Sequence, residues 1–119
     1  MPYIHFSTNF SVGKSVEEKF VAELGQIIEL IPGKTEKWLM VKFEDRAKLY
    51  FGGDDEKPVG MVVVKAFGNE QSEECYDALT RAISAAAEKI LCISPARLYV
   101  EYETVKHWGW NGANFKIRR

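Results

Sequence analysis

Apolar residues recur along this chain with two periods, every second position in some stretches and every third to fourth in others. From Pro2 to Thr8, Ile4 and Phe6 alternate with Tyr3, His5 and Ser7, the pattern of a strand with one buried face. A turn-prone stretch from Asn9 to Lys14 follows. Ser15 then precedes Glu18 by capping-box spacing, and Val16, Phe20, Leu24, Ile27, Ile28 and Ile31 share one helical face until Pro32-Gly33 stops it. Lys37 to Phe43 reads as a second strand. Val59 to Phe67 reads as a third, after Gly52-Gly53 and an acidic turn. Ser72, with Glu73 and Glu74 behind it, opens a second helix whose stripe is Tyr76, Leu79, Ile83, Ala86, Ala87 and Ile90. It ends near Ile93-Ser94-Pro95, and Arg97 to Glu103 forms the fourth long strand.

The third strand and second helix trail the first strand and first helix by the same offset, so the order reads as a duplicated β-α-β unit. Right-handed crossovers place both helices on one face of a four-stranded sheet, an α+β fold of two layers spanning residues 1–119 as a single domain. The other face is not polar enough to stand in water. Val59 to Phe67 is apolar at both parities apart from Lys65, and Trp38, Met40 and Tyr99 lie opposite Leu39, Val41 and Leu98. Oligomerisation through the uncovered face is the simplest way to bury it.

Composition narrows the function classes. A net charge of −1 supplies no positive field for a phosphate backbone, so a nucleic-acid role is not expected, and Lys116, Arg118 and Arg119 at the C-terminal end are too few to change that. No apolar run approaches the ~20 residues that span a bilayer, and the start lacks a secretory pattern, so neither membrane insertion nor a signal peptide is expected and the default location is cytoplasmic. Cys75 and Cys92 are far apart in sequence without a Cys-x-x-Cys spacing. With only His5 and His107 besides, no metal site and no cofactor is expected.

The order of short motifs resembles the macrophage migration inhibitory factor and D-dopachrome tautomerase family. The anchors are Met1-Pro2 opening a strand, Thr8-Asn9 ending it, Gly33-Lys34, Phe51-Gly52-Gly53, Gly68, Ile93-Ser94-Pro95 with Arg97 and Tyr99, and Trp108-Gly109-Trp110-Asn111-Gly112 with Phe115. Each is weak alone; in order and at near-family spacing from Met1 to Phe115 they are specific. The resemblance implies a homotrimer whose three sheets form an inner barrel, with an active site at each subunit interface. It also implies a keto–enol tautomerase acting on phenylpyruvate-like α-keto acids, with Pro2, exposed once Met1 is removed, as general base. An ordinary α-amino group titrates near 8, and an apolar pocket beside a cation leaves more of it as free base.

By the same resemblance Lys34 pairs with the substrate carboxylate and the backbone N–H of Phe67 makes a second contact to it. Tyr99 reaches in from the neighbouring subunit, and Trp110 and Phe115 line the pocket. On the residues alone, Lys34 reads equally as a solvated charge at a helix end, and the aromatic residues as core packing. Several positions depart from the family pattern, Phe67 among them, where isoleucine is usual. Glu101 stands where asparagine is usual, a carboxylate that would raise the Pro2 pKa and repel an anion. Trp38 replaces a tyrosine, Lys65 a histidine and Trp108 a small aliphatic residue, which implies a narrower and differently charged pocket. The alternative function carried by the resemblance is a cytokine-like ligand, secreted without a signal peptide, that binds a cell-surface receptor.

Overall fold

The computed structural model describes residues 1–117 and has the expected element order with a hairpin added at its end. Strand β1 (Pro2–Thr8) is followed by helix α1 (Lys14–Ile27), β2 (Met40–Glu44), β3 (Gly60–Phe67), α2 (Glu73–Leu91) and β4 (Leu98–Val105). The hairpin is β5 (His107–Trp110) and β6 (Ala113–Lys116). The four long strands form one sheet in the order β2-β1-β3-β4. Each β-α-β half pairs its own strands in parallel, and β1 and β3 join the halves antiparallel.

Both helices cover one face. Phe20, Leu24 and Ile27 from α1, and Leu79, Ile83 and Ala87 from α2, are buried against Ile4, Phe6, Val62 and Val64 of the strands. Phe6 sits at the centre, its ring 4.8 Å from that of Phe20 and 5.1 Å from that of Phe43. Two of the sequence anchors hold the end of the sheet where β1 finishes and β3 and β4 begin. The Thr8 hydroxyl donates to the carbonyl of Val59 at 2.8 Å, and Asn9 Oδ1 accepts from the Val59 N–H at 3.0 Å. Arg97 Nε donates to the carbonyl of Pro58 at 3.0 Å and its Nη2 to that of Asp54 at 2.9 Å, tying the Asp54–Pro58 loop to the start of β4.

Several boundaries differ from the sequence reading. Ser15 makes no capping box: α1 starts two residues earlier than a Ser15 cap would set it, behind Gly13, with no side-chain cap. Val16, assigned to the core stripe, is 39% exposed and stands outside the buried face of α1. The α-helix stops at Ile27 and tightens into a 3₁₀ turn, Ile28–Leu30, before Pro32. Residues Glu36–Trp38 form a second 3₁₀ turn rather than the start of β2. The N–H groups of Trp38 and Leu39 bond locally to the carbonyls of Thr35 and Glu36, so they are not available to a ladder. Ser72 caps α2 as expected, its Oγ accepting from the Cys75 N–H at 3.1 Å. β4 runs on to Val105, and β5 and β6 were not anticipated, because short segments interleaving Trp, Gly and Asn show little alternation.

The face of the sheet away from the helices is open. Tyr3, His5, Met61, Val63, Lys65 and Phe67 on it are half-buried, and Met40 and Tyr99 are 67% and 63% exposed. No helix among the described residues is long and apolar enough to cross a membrane.

Candidate functional site

The first residues of β1 lie at the edge of the core, where the chain of contacts around Lys34 begins. After the 3₁₀ turn at Ile28–Leu30, Gly33 adopts φ 81°, a left-handed conformation that costs glycine little. The Lys34 N–H bonds back to the carbonyl of Ile31 at 3.0 Å, and the side chain crosses to the C-terminal end of β3, where Nζ donates to the carbonyl of Phe67 at 2.7 Å. Phe67 in turn donates its N–H to the carbonyl of Met1 at 3.2 Å. Lys34, Phe67 and the chain start are therefore one cluster, brought together from three elements.

Electrostatically this cluster acts on the terminal amine. Burial, the positive charge of Lys34 and a hydrogen bond to Lys34 lower the Met1 α-amine from 8.0 to about 6. All three causes favour the neutral amine: burial removes water from the ammonium, Lys34 repels it, and a neutral nitrogen can accept where an ammonium cannot. Pro2 itself is fully buried, and in the chain bearing Met1 its nitrogen is a tertiary amide without basicity.

A cavity of about 560 Å³ opens beside Met1 and Pro2. Tyr3 and Met40 contribute from the paired strands β1 and β2, and the Glu36–Trp38 turn places Lys37 and Trp38 on its wall. Trp108 and Trp110 close it from the hairpin. Trp38 and Trp110 meet edge to face, with centroids 5.0 Å apart, an arrangement favoured by the ring quadrupoles. Phe115 supports Trp110 from behind, 6.2 Å away, and does not line the cavity.

Of the residues singled out in the sequence, Pro2, Lys34, Phe67, Trp108 and Trp110 gather at this end of the sheet. Tyr99 and Glu101 do not. The register sets Pro2 beside Ala66 but Tyr99 beside Met61 and Glu101 beside Val63, so within one chain both lie along β3 away from the amine. Tyr99 instead packs on Phe51 at 5.2 Å. Lys37, Tyr3 and Met40 line the cavity without having been singled out; the turn that presents Lys37 carries only the signal of a charged residue next to Trp38. Among the described residues no cluster of His, Cys, Asp and Glu suited to a metal is present.

Known proteins share this fold. The sequence profile of the family described as macrophage migration inhibitory factor matches residues 1–116. The structure of Leishmania major MIF2 superposes with a TM-score of 0.87 at 32% identity, covering 97% of each chain. The macrophage migration inhibitory factor-like protein of Entamoeba histolytica gives 0.83 at 14% identity, covering 96% of this chain and 98% of that one. A homologue from Prochlorococcus marinus gives 0.76 at 24%, covering 95% and 98%. No curated protein sequence matches.

Proposed function

Because the chain belongs to the macrophage migration inhibitory factor family and has its tautomerase-type fold, we propose that it is a keto–enol tautomerase of phenylpyruvate-like α-keto acids, with the Pro2 amine as base once Met1 is removed. The observation that carries this reading is the terminal amine lowered to about 6 beside Lys34. An amine of that pKa is mostly free base at neutral pH and can take a proton from a weak carbon acid.

In this reading the cluster that now holds Met1 becomes the substrate site. With Met1 gone, the Phe67 N–H loses its acceptor and joins Lys34 as a donor pair for the substrate carboxylate. The Pro2 amine, one residue further in and near Lys34, removes a proton from the carbon next to the keto group. The enolate oxygen takes a proton from solvent and the Pro2 ammonium returns its own to solvent, which completes the enol and restores the base. Trp110 and Trp108 supply apolar wall for the ring. Retained Met1 blocks this twice, by converting the amine to an amide and by occupying the Phe67 N–H.

The proposal includes a homotrimer. On the open face, successive rows across β2, β1, β3 and β4 read Met40-Tyr3-Lys65-Glu103, Lys42-His5-Val63-Glu101 and Glu44-Ser7-Met61-Tyr99. Mixed apolar and oppositely charged residues of this kind suit contact with further copies of the chain, which would bring Tyr99 and Glu101 to a neighbour's Pro2.

The test inserts Ala before Pro2. It retains the proline ring and removes only its free amine, so phenylpyruvate tautomerisation should be abolished while thermal stability is kept. Mass spectrometry of the wild-type protein should find Met1 absent. Unchanged turnover in the insertion variant would assign the proton transfer to another group.

A further inference from the structure

The cavity beside Pro2 is apolar on nearly every side, and Lys37 is the one charged side chain on its wall. Its Nζ stands over the Trp38 ring, 5.4 Å from the centroid, and that ring is held in turn by Trp110. The neighbouring carboxylate points elsewhere: the Glu36 side chain lies against the backbone of Gly25 in α1, so closely that a Cβ there would collide with it. No carboxylate among the described residues forms an ion pair with Lys37. Lys34, the other cation of the site, is engaged by the Phe67 carbonyl and the terminal amine. One lysine therefore serves the amine end of the site, while a second faces the aromatic wall with no carboxylate of its own chain paired to it.

We propose that the site selects doubly anionic aromatic substrates, α-keto acids whose ring carries a second carboxylate, and that Lys37 is the residue that recognises it. The inference rests on the tautomerase reading for the first carboxylate and adds the second. A ring lying along the wall that Trp38 and Trp110 form together carries its far end past the Lys37 ammonium, where low-polarity indole surface on one side strengthens the attraction. An unsubstituted ring leaves that ammonium without a partner.

Binding of unreactive probes separates this inference from the chemistry. Cinnamate carries one carboxylate and 4-carboxycinnamate two, and quenching of tryptophan fluorescence reports their occupancy next to Trp38 and Trp110. On full-length protein with Met1 removed, 4-carboxycinnamate should bind at least about fivefold more tightly than cinnamate at low salt, a preference that shrinks towards unity in about 0.5 M salt, as expected of a partly exposed ion pair. Lys37→Gln should collapse the ratio of the two dissociation constants to within about twofold, and Lys37→Arg, which keeps the charge, should retain it. Equal binding of the two probes by the wild type, a preference that survives Lys37→Gln, or its loss in Lys37→Arg as well would each overturn the proposal. A wild type that keeps the binding preference but turns over no keto acid would overturn the tautomerase reading and leave the recognition by Lys37 standing.

Discussion

Lys34 bears more of the proposed chemistry than any other side chain, and its two roles can be separated. Burial is the larger cause of the lowered amine pKa and the Lys34 charge the second, so Lys34→Met should move the limb of the kcat profile governed by the amine to higher pH, short of the full return to 8.0. Loss of the carboxylate partner should raise KM in the same variant. The amine also links pH to folding. Between about 6 and 8 the unfolded amine holds a proton that the folded one does not, so this group makes the fold more stable as pH rises through that window. Thermal denaturation of the Met1-bearing chain at pH 6 and 8, with and without Lys34→Met, would measure it. Glu101 tests the assembly from the other side. If a neighbour's Glu101 reaches Pro2, its carboxylate favours the ammonium, and Glu101→Gln should raise kcat/KM for phenylpyruvate and shift the same limb to lower pH. An unchanged pH profile and unchanged KM would place Glu101 outside the site.

Between elements, helix starts give the sharpest contrast. Ser72 satisfies the Cys75 N–H at the start of α2, so Ser72→Ala should cost about 1 kcal/mol, a fall in Tm of a few degrees by calorimetry. Ser15 lies inside α1 and caps nothing, so Ser15→Ala should stay within about 0.5 kcal/mol of wild type. The two serines look alike in sequence, each followed by glutamate within the first turn. What distinguishes them is the backbone: Ser72 has the extended conformation of a cap, whereas at α1 Gly13 has it. The Glu36–Trp38 turn makes the same point. Its alternation resembles a strand, but local 3₁₀ bonds take the donors a strand would need, and the turn then presents Lys37 and Trp38 to the cavity.

The whole molecule leaves one sheet face open, and the proposed trimer would form through that face. Val63 sits there between His5 and Glu101, away from the helix-covered core. Val63→Glu should set two carboxylates side by side and convert trimers to folded monomers in sedimentation equilibrium, with the far-ultraviolet circular dichroism preserved. Loss of tautomerisation in those monomers would tie the activity to residues from a neighbouring chain. A wild type that sediments as a stable monomer at micromolar concentration would remove Tyr99 and Glu101 from the site.

The repeated strand-helix-strand order, the buried side of β1 with Ile4 and Phe6, the start of α2 and the open second face were all legible in the sequence, because period and parity decide which side chains share a surface; β3, apolar at both parities, left its helix side with Val62 and Val64 to the fold. So were Pro2, Lys34 and Phe67 as a set, through the short motifs that carry the family resemblance. Distances between segments far apart in sequence were not. Only the fold decides that Lys34 crosses to the Phe67 carbonyl, that Met1 takes the Phe67 N–H, that Tyr99 and Glu101 lie along β3 from the amine, and that a terminal hairpin folds Trp110 onto Trp38. Those contacts follow from strand register and from the path of turns, and neither leaves a periodic trace in the residues that make them.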